Sequence, residues 1–165
     1  MTSVATMLAV QQLHARYGQL VDDRRFAELG ALFCDDGVWE APPLRFAGRA
    51  EIVTGFEQIE PPEPGMVRHL TFNPVLESVG AGESEGEGEG EGEGEGEVVE
   101  LRAWADAIAL QVGLPGEQSA IVAVGRYHDV IRKQDGHWRF AHRVFVYSRQ
   151  PLPEGLTAAS ALGMA

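Results

Sequence analysis

The chain has 165 residues, is 44% hydrophobic and carries a formal charge of −12. That is enough for one domain with a substantial core, and no apolar run approaches the roughly 20 residues that span a bilayer. Eight glutamates fall in GESEGEGEGEGEGEGE, residues 82–97; setting them aside leaves −4, with no cluster of Lys and Arg, which argues against nucleic acid and against an anionic membrane surface as partners.

The opening stretch MTSVATMLAVQQLHARYG lacks the basic start and small-residue cleavage site of a secretory leader, so a cytoplasmic location is expected. Val4–Val21 reads as a helix, because Met7, Leu8, Leu13, Tyr17, Leu20 and Val21 recur near helical spacing. Gly18 inside it costs about 1 kcal/mol relative to Ala and marks a point of close packing. His14 is expected on the exposed side. A second helix is predicted over Arg25–Phe33, with Phe26, Leu29, Leu32 and Phe33 on one side. Cys34, the only cysteine, excludes an intramolecular disulfide and reads as a small buried apolar residue. A short strand follows at Val38–Ala41, then a helix over Arg49–Gln58 that the prolines of EPPEPG end.

Beyond the prolines the pattern changes. VRHLTFNPVLE opens a strand predicted over Val67–Val79, with a histidine near its start that calls for a reason. The Gly-Glu repeat has no apolar face and reads as a flexible, solvated loop insertion at 80–97. Val98–Val112 reads as a helix by its Ala and Leu content and as a long strand by its flanks. Ser119–Lys133 is strand-like from its β-branched residues, QDG suits a hairpin turn, and His137–Arg149 alternates as the last strand. The tail, 151–165, is rich in Pro, Gly and Ala.

Helices followed by successive antiparallel strands give an α+β fold, with a curved antiparallel sheet of about four long strands wrapped around the N-terminal helices as a cone. Residues 1–150 are expected to form this single domain. GRYHD, 125–129, and the pair His142–Arg143 hold metal-ligand residue types. Neighbours on a strand point to opposite faces, so no metal site is expected there, and Arg126 or Arg143 is expected to pair with a carboxylate across strands.

YGQLVDDRRFAELGALFCDDGVWEAP, FAGRAEIVTGF, VRHLTFNPVLE and VGRYHDVIRKQDGHWRFAHRVFV resemble the SnoaL-like, scytalone dehydratase-like branch of the nuclear transport factor 2-like superfamily, whose fold is a cystatin-like α+β barrel. The resemblance covers roughly Thr6 to Tyr147 outside the Gly-Glu insertion. In that superfamily, scytalone dehydratase and hexachlorocyclohexane dehydrochlorinase pair an aspartate ending the first helix with a histidine early in the first long strand. The matching positions are Asp22 and His69, with Asp23 a rival to Asp22. Tyr17 resembles the tyrosine of the steroid isomerase pockets. Where scytalone dehydratase has a second pocket histidine, LRAWADA offers Trp104 instead.

The chemistry implied is proton abstraction by His69, oriented by Asp22, with Tyr17 donating to a developing oxyanion, and with no cofactor. Trp39, Trp104, Phe33 and Phe72 are the candidate substrate-binding residues, each with core packing as the competing role. The resemblance implies a lyase or isomerase, of dehydratase or cyclase type, acting on a hydrophobic oxygenated small molecule such as a polyketide, aromatic or terpenoid intermediate. A non-catalytic binding or assembly module and a dioxygenase β-type subunit are the alternatives on the same scaffold. The resemblance also implies a homodimer or higher homo-oligomer.

Overall fold

The computed structural model describes residues 2–78 and 100–156. The Gly-Glu insertion and the end of the tail lie outside the described residues. Helix α1, Val4–Asp22, starts where the Ser3 hydroxyl accepts the Thr6 amide at 3.1 Å, which satisfies one of the orphan donors of the first turn. It stops where Arg24 takes a left-handed conformation, φ 56°. Helix α2 is one short piece, Phe26–Gly30, and the chain then enters strand β1, Phe33–Ala41. The predicted second helix is therefore too long: Phe33 begins a strand, because its apolar neighbours serve the sheet as well as a helix face. Strand β2, Leu44–Ala47, is a short hairpin partner of β1 that the sequence reading did not foresee. Helix α3 is Arg49–Ile59.

Four long strands follow: β3 Val67–Ser78, β4 Glu100–Gln111, β5 Ala120–Gln134 and β6 His137–Tyr147. The ambiguous segment 98–112 is thus a strand. Its Ala103, Ala105 and Ala107 alternate, are buried, and face the helices; small side chains on that face let α1 lie close to the sheet. The six strands form one curved, unclosed sheet in the order β2-β1-β6-β5-β4-β3, antiparallel except at the β1–β6 pair. Strand β3 is an edge.

The concave face carries Leu101, Ala103, Tyr127, Ile131, Phe140 and Phe145 against Val10, Leu13, Tyr17 and Val21 of α1. Gly18 fulfils its expectation: a Cβ there would meet the His69 carbonyl oxygen at 2.9 Å, so only glycine lets α1 rest on β3. Cys34 is buried, and that burial raises its thiol pKa, as befits a packing residue. No helix among the described residues is long and apolar enough to cross a membrane.

Candidate active site

Two carboxylates end α1, and the helix decides between them. Asp22 lies one turn after Gly18 on the ridge that touches β3, and its side chain is 6% exposed, against 53% for Asp23. Because β3 is an edge strand, half its amides have no strand partner. Asp22 takes one of them: the His69 amide donates to Oδ1 at 3.0 Å and to Oδ2 at 3.3 Å. The imidazole Nδ1 lies 2.8 Å from the same Oδ1. Arg68 places Nη1 3.5 Å from Oδ2, and the Gly65 amide donates to the Asp22 carbonyl at 2.9 Å.

The tautomer follows from these contacts. An ionised carboxylate only accepts, so facing one Nδ1 is the donor, and in the neutral tautomer that this selects Nε2 holds the lone pair. The imidazole keeps 18% of its surface open while the acid keeps 6%. A reagent therefore meets His69 and not Asp22. This is the arrangement of a base held from behind by an acid, with the acid also clamped to the backbone of the strand that carries the base.

Tyr17 stands about 140° around the helix from Asp22, five residues at 100° each. Its hydroxyl accepts the Trp39 indole N–H at 2.8 Å. Its ring meets Phe33, Phe56, Tyr127 and Phe140 edge-on. Burial drives its pKa well above that of a free phenol, so it stays neutral. Trp39 stacks on Phe46, and Phe33 is fully buried against Phe140. These three belong to one aromatic core.

Phe72 and Trp104 do not join them. Strand alternation sends both to the convex face, opposite His69. Phe72 is 39% exposed in register with Asp106, and Trp104 pairs across to His128. Trp104 lines a cavity of about 260 Å³ with Arg102, His128 and His142 under residues 154–156. The sheet therefore lies between these two residues and the dyad.

Alternation also separates His128 from Asp129, as expected. Both anticipated cross-strand pairs are present: Arg126 lies 2.6 Å from Asp106, and Arg143 lies 3.6 Å from Asp129. His14 is a correction. It is 3% exposed rather than solvated, with Nε2 2.9 Å from Asp129 and its ring stacked on Phe140. The partner lies 115 residues away, and no local pattern announces it. A cleft of about 740 Å³ lies on another face of α1, lined by Gln12, Arg16, Gln19 and Asp23 with His137 and Trp138. It is an open groove along a mixed-charge surface that the dyad does not enter.

Compared with known proteins, the chain matches the SnoaL-like domain model over residues 2–144. The chain belongs to the SnoaL-like domain family. This SnoaL-like domain is similar in fold to ActVI-ORFA from Streptomyces coelicolor (18% identity, 88% of this chain and 98% of that one, TM-score 0.71). It is also similar to a putative scytalone dehydratase from Novosphingobium aromaticivorans (20%, 98% and 96%, TM-score 0.65). A third similar structure is hexachlorocyclohexane dehydrochlorinase LinA-type3 from Novosphingobium barchaimii (18%, 95% and 96%, TM-score 0.67). No curated protein matches the sequence.

Proposed function

We propose that this SnoaL-like domain is a cofactor-independent lyase or isomerase, of dehydratase or cyclase type, acting on a hydrophobic oxygenated small molecule such as a polyketide or aromatic intermediate. The observation that carries the reading is the 2.8 Å contact between Nδ1 of His69 and the buried carboxylate of Asp22. Nε2 removes a proton next to a carbonyl, Asp22 stabilises the imidazolium that forms, and the electron pair moves to expel a leaving group or shift a double bond. The hydroxyl of Tyr17, kept neutral by burial, is the proposed donor to the developing oxyanion.

The test is turnover of a panel of β-hydroxy-carbonyl and polyketide-type substrates by the wild type, His69→Ala and Asp22→Asn. Losses of about 10²–10⁴ in each variant, with the fold intact, support the mechanism. Unchanged turnover in both removes it.

A homo-oligomer is the proposed state of assembly, and the convex face supports it. Leu70, Phe72, Val75, Val122 and Val124 are all more than a third exposed there, an apolar patch of the kind that marks an interface. Sedimentation of the intact chain gives the answer, and a monomer at micromolar concentration rules the proposal out.

A further inference from the structure

Three strands build a second cavity on the side of the sheet away from the dyad. Alternation puts Arg102 and Trp104 of β4 on the convex face. Register sets His128 of β5 opposite Trp104, Val130 opposite Arg102, and His142 of β6 opposite Val130. These side chains line the cavity of about 260 Å³. Trp104 is 4% exposed and His128 7%, so the floor is deep rather than a surface groove. The roof is a turn at residues 153–156. The Leu156 amide donates to the Pro153 carbonyl at 3.2 Å, and Gly155 has φ 83°, the left-handed value that a type II turn requires at its third position. Pro151 and Pro153 stiffen the chain ahead of it. The turn thereby holds Glu154 and Leu156 over the sheet.

We propose that this cavity binds a single-ring aromatic acid that also carries a hydroxyl, of the hydroxybenzoate kind. The ring lies on the Trp104 indole between Val130 and Leu156, Arg102 takes the carboxylate, and Glu154 accepts the hydroxyl from the roof. The inference is independent of the catalytic reading, because the sheet separates the cavity from His69 and Asp22.

Size and charge select this class. Small-molecule sites run from roughly 300 to 1,000 Å³, and a volume just below that range takes one ring rather than a fused polycycle. The three strands span about 10 Å at their usual spacing, enough for a ring with a substituent at each end. Arg102 is the one guanidinium among the lining residues, and its fork matches a carboxylate. Glu40 lies 3.3 Å from Nε2 of His142 and occupies that imidazole. Asp129 turns its carboxylate to the opposite face, where it meets His14. Glu154 is then the carboxylate left over the cavity. Among the described residues no three His, Cys, Asp or Glu side chains are grouped to hold a metal, so the two histidines suit an organic ligand.

The experiment is a titration of the full chain with 4-hydroxybenzoate, benzoate and benzyl alcohol. Calorimetry gives the affinities, and the indole N–H resonance of Trp104, assigned by its loss in Trp104→Phe, gives the place. Wild type, Arg102→Leu and His69→Ala are compared, with circular dichroism confirming each fold. We expect 4-hydroxybenzoate to shift the Trp104 resonance and to bind about tenfold more weakly to Arg102→Leu. We expect His69→Ala to bind it like wild type, benzoate to bind more weakly, and benzyl alcohol to bind most weakly. A Trp104 resonance that stays in place at millimolar 4-hydroxybenzoate overturns the proposal. So does binding that His69→Ala abolishes and Arg102→Leu leaves intact, which puts the ligand at the dyad.

Discussion

The guanidinium carbon of Arg143 lies 3.5 Å from the centroid of the Tyr127 ring, and Arg143 is wholly sealed from solvent. Tyr17 and Phe140 approach the same cation at 4.1 and 4.3 Å. Asp129, also sealed, is its counter-charge at 3.6 Å and shares its other contact with His14. Aromatic faces compensate part of the lost hydration of the cation, and the acid compensates the rest. This polar centre stands under α1 where a purely apolar core is the simpler solution.

Removing one member of such a group leaves a buried charge without its partner. Asp129→Asn is therefore expected to destabilise the fold by about 3–5 kcal/mol, a large part of the 5–15 kcal/mol typical of a domain. Combining it with Arg143→Met removes both charges, and the double variant is expected to lose less than the sum of the single losses. Urea denaturation of the three variants decides this; additive losses contradict the pairing.

Gly18→Ala sets two effects against each other. The helix gains about 1 kcal/mol in propensity, but the new methyl meets the His69 carbonyl oxygen at 2.9 Å. The neighbour is backbone and cannot rotate aside, so β3 must shift. We expect a lower melting temperature than wild type together with reduced turnover, since the same residue of β3 carries the imidazole. A higher melting temperature with unchanged activity shows that α1 and β3 separate without cost.

The hydrogen bond from Trp39 to Tyr17 separates packing from chemistry. Trp39→Phe removes the donor and leaves a cavity where the larger ring packed on Phe46 and Phe56, and is expected to cost more than the roughly 1 kcal/mol of the hydrogen bond alone. Tyr17→Phe leaves the buried indole N–H unpaired and is expected to cost about 1–3 kcal/mol. Denaturant midpoints measure both. If Tyr17→Phe lowers stability while turnover is unchanged, the tyrosine is a packing residue and the oxyanion donor lies elsewhere.

Stability should depend on pH through Glu60. Its pKa in the fold is raised from 4.5, so the folded state binds the proton more tightly than the unfolded chain. Below pH 4.5 that preference contributes fully. As pH rises through the folded value the contribution is lost. Glu60→Gln, which cannot ionise, is expected to match wild type in acid and to gain on it towards neutrality. Melting temperatures across pH 4 to 7.5 trace the difference, and a constant offset contradicts the assignment.

The α+β class, strands β3, β5 and β6 and the ends of α1 and α3 were legible in the sequence, because periodicity and proline placement are local signals, whereas the segment that forms β4 suits a helix or a strand equally in its local pattern. Gly18 was legible as a contact point, since a glycine that costs helix stability needs a compensating reason. Asp22 and His69 were legible only through the resemblance. Spacing alone does not bring residues 47 positions apart to 2.8 Å; the edge position of β3 does that, by leaving an amide for Asp22 to take.

What the tertiary structure alone decided is which face each side chain serves. Trp104 and Phe72 look like pocket residues in a linear reading, and strand register places them on the convex side. His14 lies at helical spacing with Val10, Leu13 and Tyr17 on the buried face of α1, and the fold delivers Asp129 to it from the far end of the chain. Glu60 sits in a proline-rich stretch that reads as a simple connection until Arg24 holds its carbonyl and Gly65 ties the stretch to the Asp22 carbonyl. Composition and periodicity determined the elements, because each depends on residues within a few turns or pleats. Partnerships between charges depend on how those elements cross, and only packing fixes that.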